Sequence, residues 1–168
     1  MPIPISIRLQ REPFDAAAEA AKLRRGRSDV GAIVTFTGIC RGDEAGKKLR
    51  AMTLDHYPEM AETEIARHTH EAERRWPLLG VSIVHRYGRI EPGEDIVLVV
   101  TAAAHRQDAF AAAEFLMDYL KTRAPFWKQI EYAEGQSGNE MIWIEAKQSD
   151  DALAERWCPP SARPEAAE

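Results

Sequence analysis

Apolar and polar positions alternate from the first residues of the chain. Ile3, Ile5, Ile7 and Leu9 are separated by Pro4, Ser6 and Arg8, the period-two pattern of a strand, and Pro4 assigns it to a sheet edge. Residues 13–25 carry Phe14, Ala17, Ala18 and Ala21 at helical spacing and predict a short helix. Residues 31–41, GAIVTFTGICR, are β-branched and apolar almost throughout, as a buried strand requires, and Gly38 marks a bulge or a close backbone approach. The polar, glycine-bearing stretch 42–48 predicts a loop. A strand over 49–57 follows, with Leu49, Met52, Leu54 and His56 inward, and Pro58 stops it.

Residues 59–76 return to a helical period through Met60, Ile65, Ala66, Ala72 and Trp76, with acids early and Arg74 and Arg75 late, as the helix dipole favours. Strands are predicted over 81–87 and 95–103, joined by a connection containing Pro92-Gly93. A long helix is predicted over 106–123, with Phe110, Ala113, Leu116, Met117 and Leu120 on its buried face. Ala124 precedes Pro125 and is pushed out of the helical region, so the helix must end near Arg123. Residues 128–132 and 141–147 read as a hairpin around the glycines at 135 and 138, and Ser149 caps a final short helix to Trp157. About three helices and six or seven strands result. Because the strands cluster without helices between them at 81–103 and 128–147, the class is α+β rather than alternating βαβ.

A chain of 168 residues that is 45% hydrophobic and 29% charged fits one globular domain, predicted over residues 1–157, with the proline- and charge-rich segment 158–168 as a disordered tail. The formal net charge of -5 gives no overall attraction to nucleic acid or anionic membrane, so any anion site must be local. No apolar run reaches the ~20 residues that span a bilayer, and the first residues lack the basic and apolar blocks of a signal peptide. Two cysteines, Cys40 and Cys158, form no metal-type spacing and no disulfide framework, which suits a reducing cytoplasm.

Candidate chemistry is cationic. Lys121 falls on the last turn of the long helix and Lys128 beyond the proline corner, so two ammonium groups from different elements can face one space; a helix end also attracts lysine for its dipole alone. His105 and Arg106 stand where the free N–H groups of a helix start favour anions, or form an ordinary surface pair. Arg41 leaves the buried strand at a loop mouth, where a guanidinium can fork onto phosphate or simply be solvated. His68 and His70 are two apart and point to different helix faces, which argues against a shared metal, while His56 and His85 read as satisfied sheet histidines. No dinucleotide or phosphate-loop glycine motif and no nucleophile elbow is present, and no bound cofactor is expected.

Several longer words narrow the field. VTFTGICR at 34–41, LDHYPEMAE at 54–62, RWPL at 75–78, HRYGRIEPGE at 85–94, AHR at 104–106 and FLMDYLKTRAPFWK at 115–128 occur in order. With them the chain closely resembles the catalytic (large) subunits of molybdopterin synthase, from about Phe14 to Trp157. The resemblance implies an α/β hammerhead-type fold with an antiparallel or mixed sheet, three main helices and a C-terminal hairpin. It implies a homodimer within a heterotetramer, each copy carrying a small ubiquitin-like sulfur-carrier subunit. It also implies the reaction, in which cyclic pyranopterin monophosphate receives two sulfurs from the partner's C-terminal thiocarboxylate.

Carried over residue by residue, the resemblance makes Lys121 and Lys128 catalytic. It makes Phe36, Ile39, Cys40, Arg41, Met117 and Lys147 substrate-binding, with His105 and Arg106 supplied by the neighbouring protomer. Two positions depart from the family pattern. Lys147 stands where relatives often have arginine, and Ile130 stands where they often have glutamate, with Glu131 offset to the other strand face. A reading from a different class, a non-catalytic module that binds the C-terminal tail of a ubiquitin-like partner, would use the same basic pocket.

Overall fold

The computed structural model describes residues 2–133, the backbone of 142–144, and residues 152 and 155–158. Lys147, the turn at 134–140, Ser149 and residues 159–168 lie outside that description. The elements run β1 (Ile5–Gln10), α1 (Ala16–Arg24), β2 (Ala32–Ile39), β3 (Asp43–Glu44), β4 (Lys47–His56), α2 (Pro58–Arg75), β5 (Leu78–Arg86), β6 (Gly88–Ile90), β7 (Asp95–Ala103), α3 (Arg106–Thr122), β8 (Phe126–Tyr132) and β9 (Ile142–Ile144).

Two sheets share the chain. The first has order β1-β5-β7-β2, with β1 parallel to β5 and the other pairs antiparallel. Its faces are both covered. Val97, Val99 and Ala103 meet Ile65 of α2 and Ala109, Leu116 and Leu120 of α3, while Leu98, Val100 and Ala102 meet Leu23 of α1 and Val84 of β5. Burial on both faces is why β7 is apolar at nearly every position. Thr101 Oγ1 donates to the Ala109 carbonyl at 2.7 Å and ties the helix to the strand. The second sheet has order β3-β4-β8-β9, with β6 also paired to β4. Its core holds Cys40, Leu49, Met52, Leu54, Ile90, Ile130 and Tyr132. This is the α+β class expected, with a mixed and an antiparallel sheet and three main helices.

Several expectations need correction. The stretch 42–48 is not an open loop: β3 and β4 form a tight hairpin whose turn residues Ala45 and Gly46 both have positive φ, 52° and 78°. That conformation matches the right-handed twist of paired strands. Alanine spacing misplaced the face of α1, which buries Glu19 and Leu23. Glu19 is buried because Arg8 and Lys22 each approach its carboxylate at 2.6 Å and Ser82 donates to it at 3.0 Å. Phe110 and Met60, expected inside, are 62% and 55% exposed. His56 is not satisfied, since its Nδ1 is buried without a hydrogen-bond partner among the described residues. Gly38 meets both expectations, with a register shift at Gly38/Ile39 and Val97 Cγ1 only 2.6 Å from where a Cβ would stand.

Candidate functional site

Arg41 lies two residues beyond the end of β2, and its position is set by the Gly38/Ile39 bulge and by two backbone bonds of Cys40. Cys40 N donates to the Glu94 carbonyl at 2.9 Å, and the Cys40 carbonyl accepts from Gly93 N at 2.8 Å. The Cys40 side chain is buried in the second core, where desolvation pushes its thiol pKa up, with the Lys128 charge opposing. Its buried side chain therefore supports the wall of the site, and burial disfavours the thiolate that a nucleophile needs.

Lys128 lies on β8, directly across the ladder from Leu54 of β4. Its ammonium is 3.7 Å from Glu44 Oε1, and Arg41 Nη2 donates to Glu44 Oε2 at 2.9 Å. One carboxylate thus lies between two cations that come from distant parts of the chain. Glu44 was not singled out in the sequence. A single acid in a polar stretch gives no signal there, because only the hairpin and the β4–β8 register bring it to Lys128. Ile130, on the same strand face as Lys128, is fully buried. Glu131 leaves the other face and pairs with Arg50 at 3.3 Å and Arg89 at 3.6 Å.

Lys121 is on the last turn of α3, one turn beyond buried Met117, and is exposed. Arg123 caps the helix, its N–H donating to the Tyr119 carbonyl at 2.9 Å, and Pro125 then leads into β8. The two lysines therefore flank the corner, as the sequence implies. Phe126 holds the exit by stacking on His85 with ring centroids 3.9 Å apart. Phe36 and Ile39 of β2 are 39% and 55% exposed. His105 is the N-cap of α3 without a side-chain capping bond, and both it and Arg106 are exposed.

The ends of the first sheet separate these groups. Ala32 pairs with Ala103, and Ile39 with Asp95. His105 and Arg106 thus sit at the Ala32 end, while Arg41 lies beyond the Ile39 end. Helix α3 runs back along the sheet, and the fifteen steps from Arg106 to Lys121 span about 22 Å at 1.5 Å per residue. Within one chain, Cys40, Arg41 and Lys128 come together, Lys121 stands on the other side of the proline corner from Lys128, and the His-Arg pair does not join them.

Two cavities occur elsewhere. One, of about 290 Å³, lies between α2 and α3 and is lined by Arg67, His68, Tyr119 and Arg123 among others; the other lies beside His56, Tyr57 and Trp127. His68 stacks on Tyr119 with centroids 3.3 Å apart, and burial lowers its pKa. His70 is exposed, and among the described residues no group of three or more His, Cys, Asp or Glu could hold a metal ion. No described helix is long and apolar enough to cross a membrane.

The chain and its fold are similar to known proteins. A protein from Mesorhizobium japonicum named molybdopterin synthase catalytic subunit is 57% identical over 90% of this chain and 92% of its own length. One of the same name from Rhizobium meliloti is 54% identical over 94% of this chain and 98% of its own. The solved structure of a molybdopterin biosynthesis MoaE protein from Burkholderia ambifaria superposes with a TM-score of 0.76 at 44% identity, covering 91% of this chain and 97% of that one. The fold is also that of a chain in a complex of subunits 1 and 2 of molybdopterin-converting factor from Helicobacter pylori. That chain has a TM-score of 0.64 at 21% identity, over 83% of this chain and 89% of its own. The family model described as MoaE protein matches residues 9–123, and the chain belongs to that family.

Proposed function

We propose that this chain is the catalytic subunit of a molybdopterin synthase, a sulfurtransferase. It would move two sulfurs from the C-terminal thiocarboxylate of a small sulfur-carrier subunit onto cyclic pyranopterin monophosphate. Membership of the MoaE family supports the reaction class. The observation that carries the site is the convergence of Arg41 and Lys128 on one anion position, with Lys121 across the corner.

The chemistry asks for such a place. Substrate and sulfur donor are both anions, and bringing them together in water is opposed by their charge. Fixed cations remove that repulsion and need no reorganisation when the bond forms. Arg41, with His105 and Arg106 of a second protomer, would hold the phosphate and the pterin. Lys121 and Lys128 would stabilise the thiocarboxylate and move protons as its sulfur attacks the pterin side chain. Each transfer forms a carbon–sulfur bond on the pterin side chain as a carbon–oxygen bond there breaks, the oxygen leaving as water or with the phosphate. Hydrolysis of the acyl–sulfur bond then leaves an ordinary carboxylate on the carrier's terminal glycine.

The exposed flank of β2 and α3 supports a second protomer. β2 is an edge strand of its sheet among the described residues, and Phe36, Ile39 and Phe110 are exposed along β2 and α3. A two-fold axis across this flank would bring the Ala32 end of one copy to the Ile39 end of the other, and so carry His105 and Arg106 to the partner's Arg41. Apolar groups of this size on an edge are the kind that subunit contacts cover.

The test is product formation from purified chain, thiocarboxylated carrier and the pterin precursor. Molybdopterin formation supports the sulfurtransferase. Carrier binding without product would instead support the tail-binding module.

A further inference from the structure

The site in this ligand-free chain already contains an anion. Glu44 reaches it from a short hairpin, and its side chain is only 13% exposed, against 68% for Arg41 and 29% for Lys128. Its two oxygens are divided between two cations, Oε2 to Arg41 and Oε1 to Lys128. A carboxylate has the charge and the planar two-atom face of a thiocarboxylate, and like a phosphate it offers two oxygens to the fork of a guanidinium.

The strand that presents it is lightly attached. β3 has two residues and, among the described residues, pairs with β4 alone, through Asp43↔Lys48 and Glu44↔Lys47. The Leu49 N–H bond to the Gly42 carbonyl, at 2.9 Å, closes its base. Elements with few buried contacts open at the low end of a protein's range of local stabilities. The turn at Ala45 and Gly46 fixes the hairpin's own shape, and the Ala133 N–H bond to the Lys48 carbonyl at 3.0 Å anchors its β4 side to β8, so the part able to move is residues 43–47.

We propose that Glu44 is a built-in competitor for the anion seat: its carboxylate occupies the place between Arg41 and Lys128 until an anionic ligand displaces it. This deepens the sulfur-transfer reading and depends on it only for the natural occupant. Between the two cations Glu44 offsets one of their two positive charges and lowers their mutual repulsion, which holds the site assembled. On binding, the incoming phosphate or thiocarboxylate takes over that duty, and weakly competing anions are screened out.

The probe is inorganic phosphate, titrated against the full chain by calorimetry at low ionic strength. Glu44→Gln keeps the side-chain volume and removes the charge, and Glu44→Ala serves as a second variant should the first fail to fold. The expected result is phosphate binding about 5- to 10-fold tighter in either variant than in the wild type, the range of a modest site–site coupling. The gain is expected to vanish when Lys128→Ala is added, and Glu44→Asp is expected to bind as the wild type does. Unchanged or weaker binding in Glu44→Gln, or a gain that survives Lys128→Ala, would overturn the proposal. A wild-type chain that forms no product with its thiocarboxylated carrier would refute the sulfur-transfer reading while leaving this binding result intact.

Discussion

Lys128 and Glu131 leave β8 on opposite faces. Three residues apart on a strand, they cannot share a side: Lys128 meets Glu44 at 3.7 Å, and Glu131 meets Arg50 and Arg89. Glu131 is therefore a rim ion-pair residue. Glu131→Gln should leave the sulfur-transfer rate within about 2-fold of wild type, because exposed pairs contribute only ~0–1 kcal/mol. Steady-state assays check this; a loss of ten-fold or more would place Glu131 in the chemistry.

Two glycines should differ in cost. A Cβ on Gly31 would stand 2.2 Å from the Ala104 carbonyl oxygen, whereas one on Gly38 would meet the Val97 methyl at 2.6 Å. A side chain can rotate aside and a backbone carbonyl in a paired strand end cannot. Gly31→Ala should therefore destabilise by about 3 kcal/mol or more, and Gly38→Ala by about 1–2 kcal/mol, within the range of overpacking. Urea denaturation of both variants measures the order, and the reverse order would be inconsistent with this backbone.

Stability should fall in acid through His85. Burial lowers its pKa to about 4 from the ordinary 6.5, against a weaker opposing bond to the Arg86 carbonyl. The folded chain thus refuses a proton that the unfolded chain accepts. Above pH 6.5 neither state is protonated and nothing is lost. Between pH 6.5 and about 4 stability drops as pH falls, and below that the slope levels off, for a total on the order of 3 kcal/mol. His68 and His56, also lowered by burial, act with the same sign. Denaturation midpoints from pH 8 to 4 should show the decline, and His85→Phe should flatten part of it. An unchanged slope in that variant would mean the groups responsible lie elsewhere.

The sequence was most legible where one physical signal was continuous. The β7 expectation, 95–103, has the observed bounds because both faces are buried and the run is unbroken. α3 ends one residue before its expected end because Pro125 forces the corner. The misses are places where burial depends on a partner. β3 and β6 have two and three residues, too few to show a period. Glu19 is inside only because Arg8, Lys22 and Ser82 meet it. Phe110 has the spacing of a core residue yet is exposed in the first turns of α3. Arg41 and Lys128 could be named from the chain, but not the carboxylate between them.

The central claim is that the ammonium groups flanking the proline corner perform the transfer. The most direct measurement is molybdopterin formation by Lys121→Ala and by Lys128→Ala, with thiocarboxylated carrier and pterin precursor at saturation, alongside carrier affinity and subunit state. The account predicts that each variant loses about 100-fold or more in rate, the scale of removing one preorganised electrostatic partner, while it still dimerises and still binds the carrier. Product at the wild-type rate from either variant would contradict it.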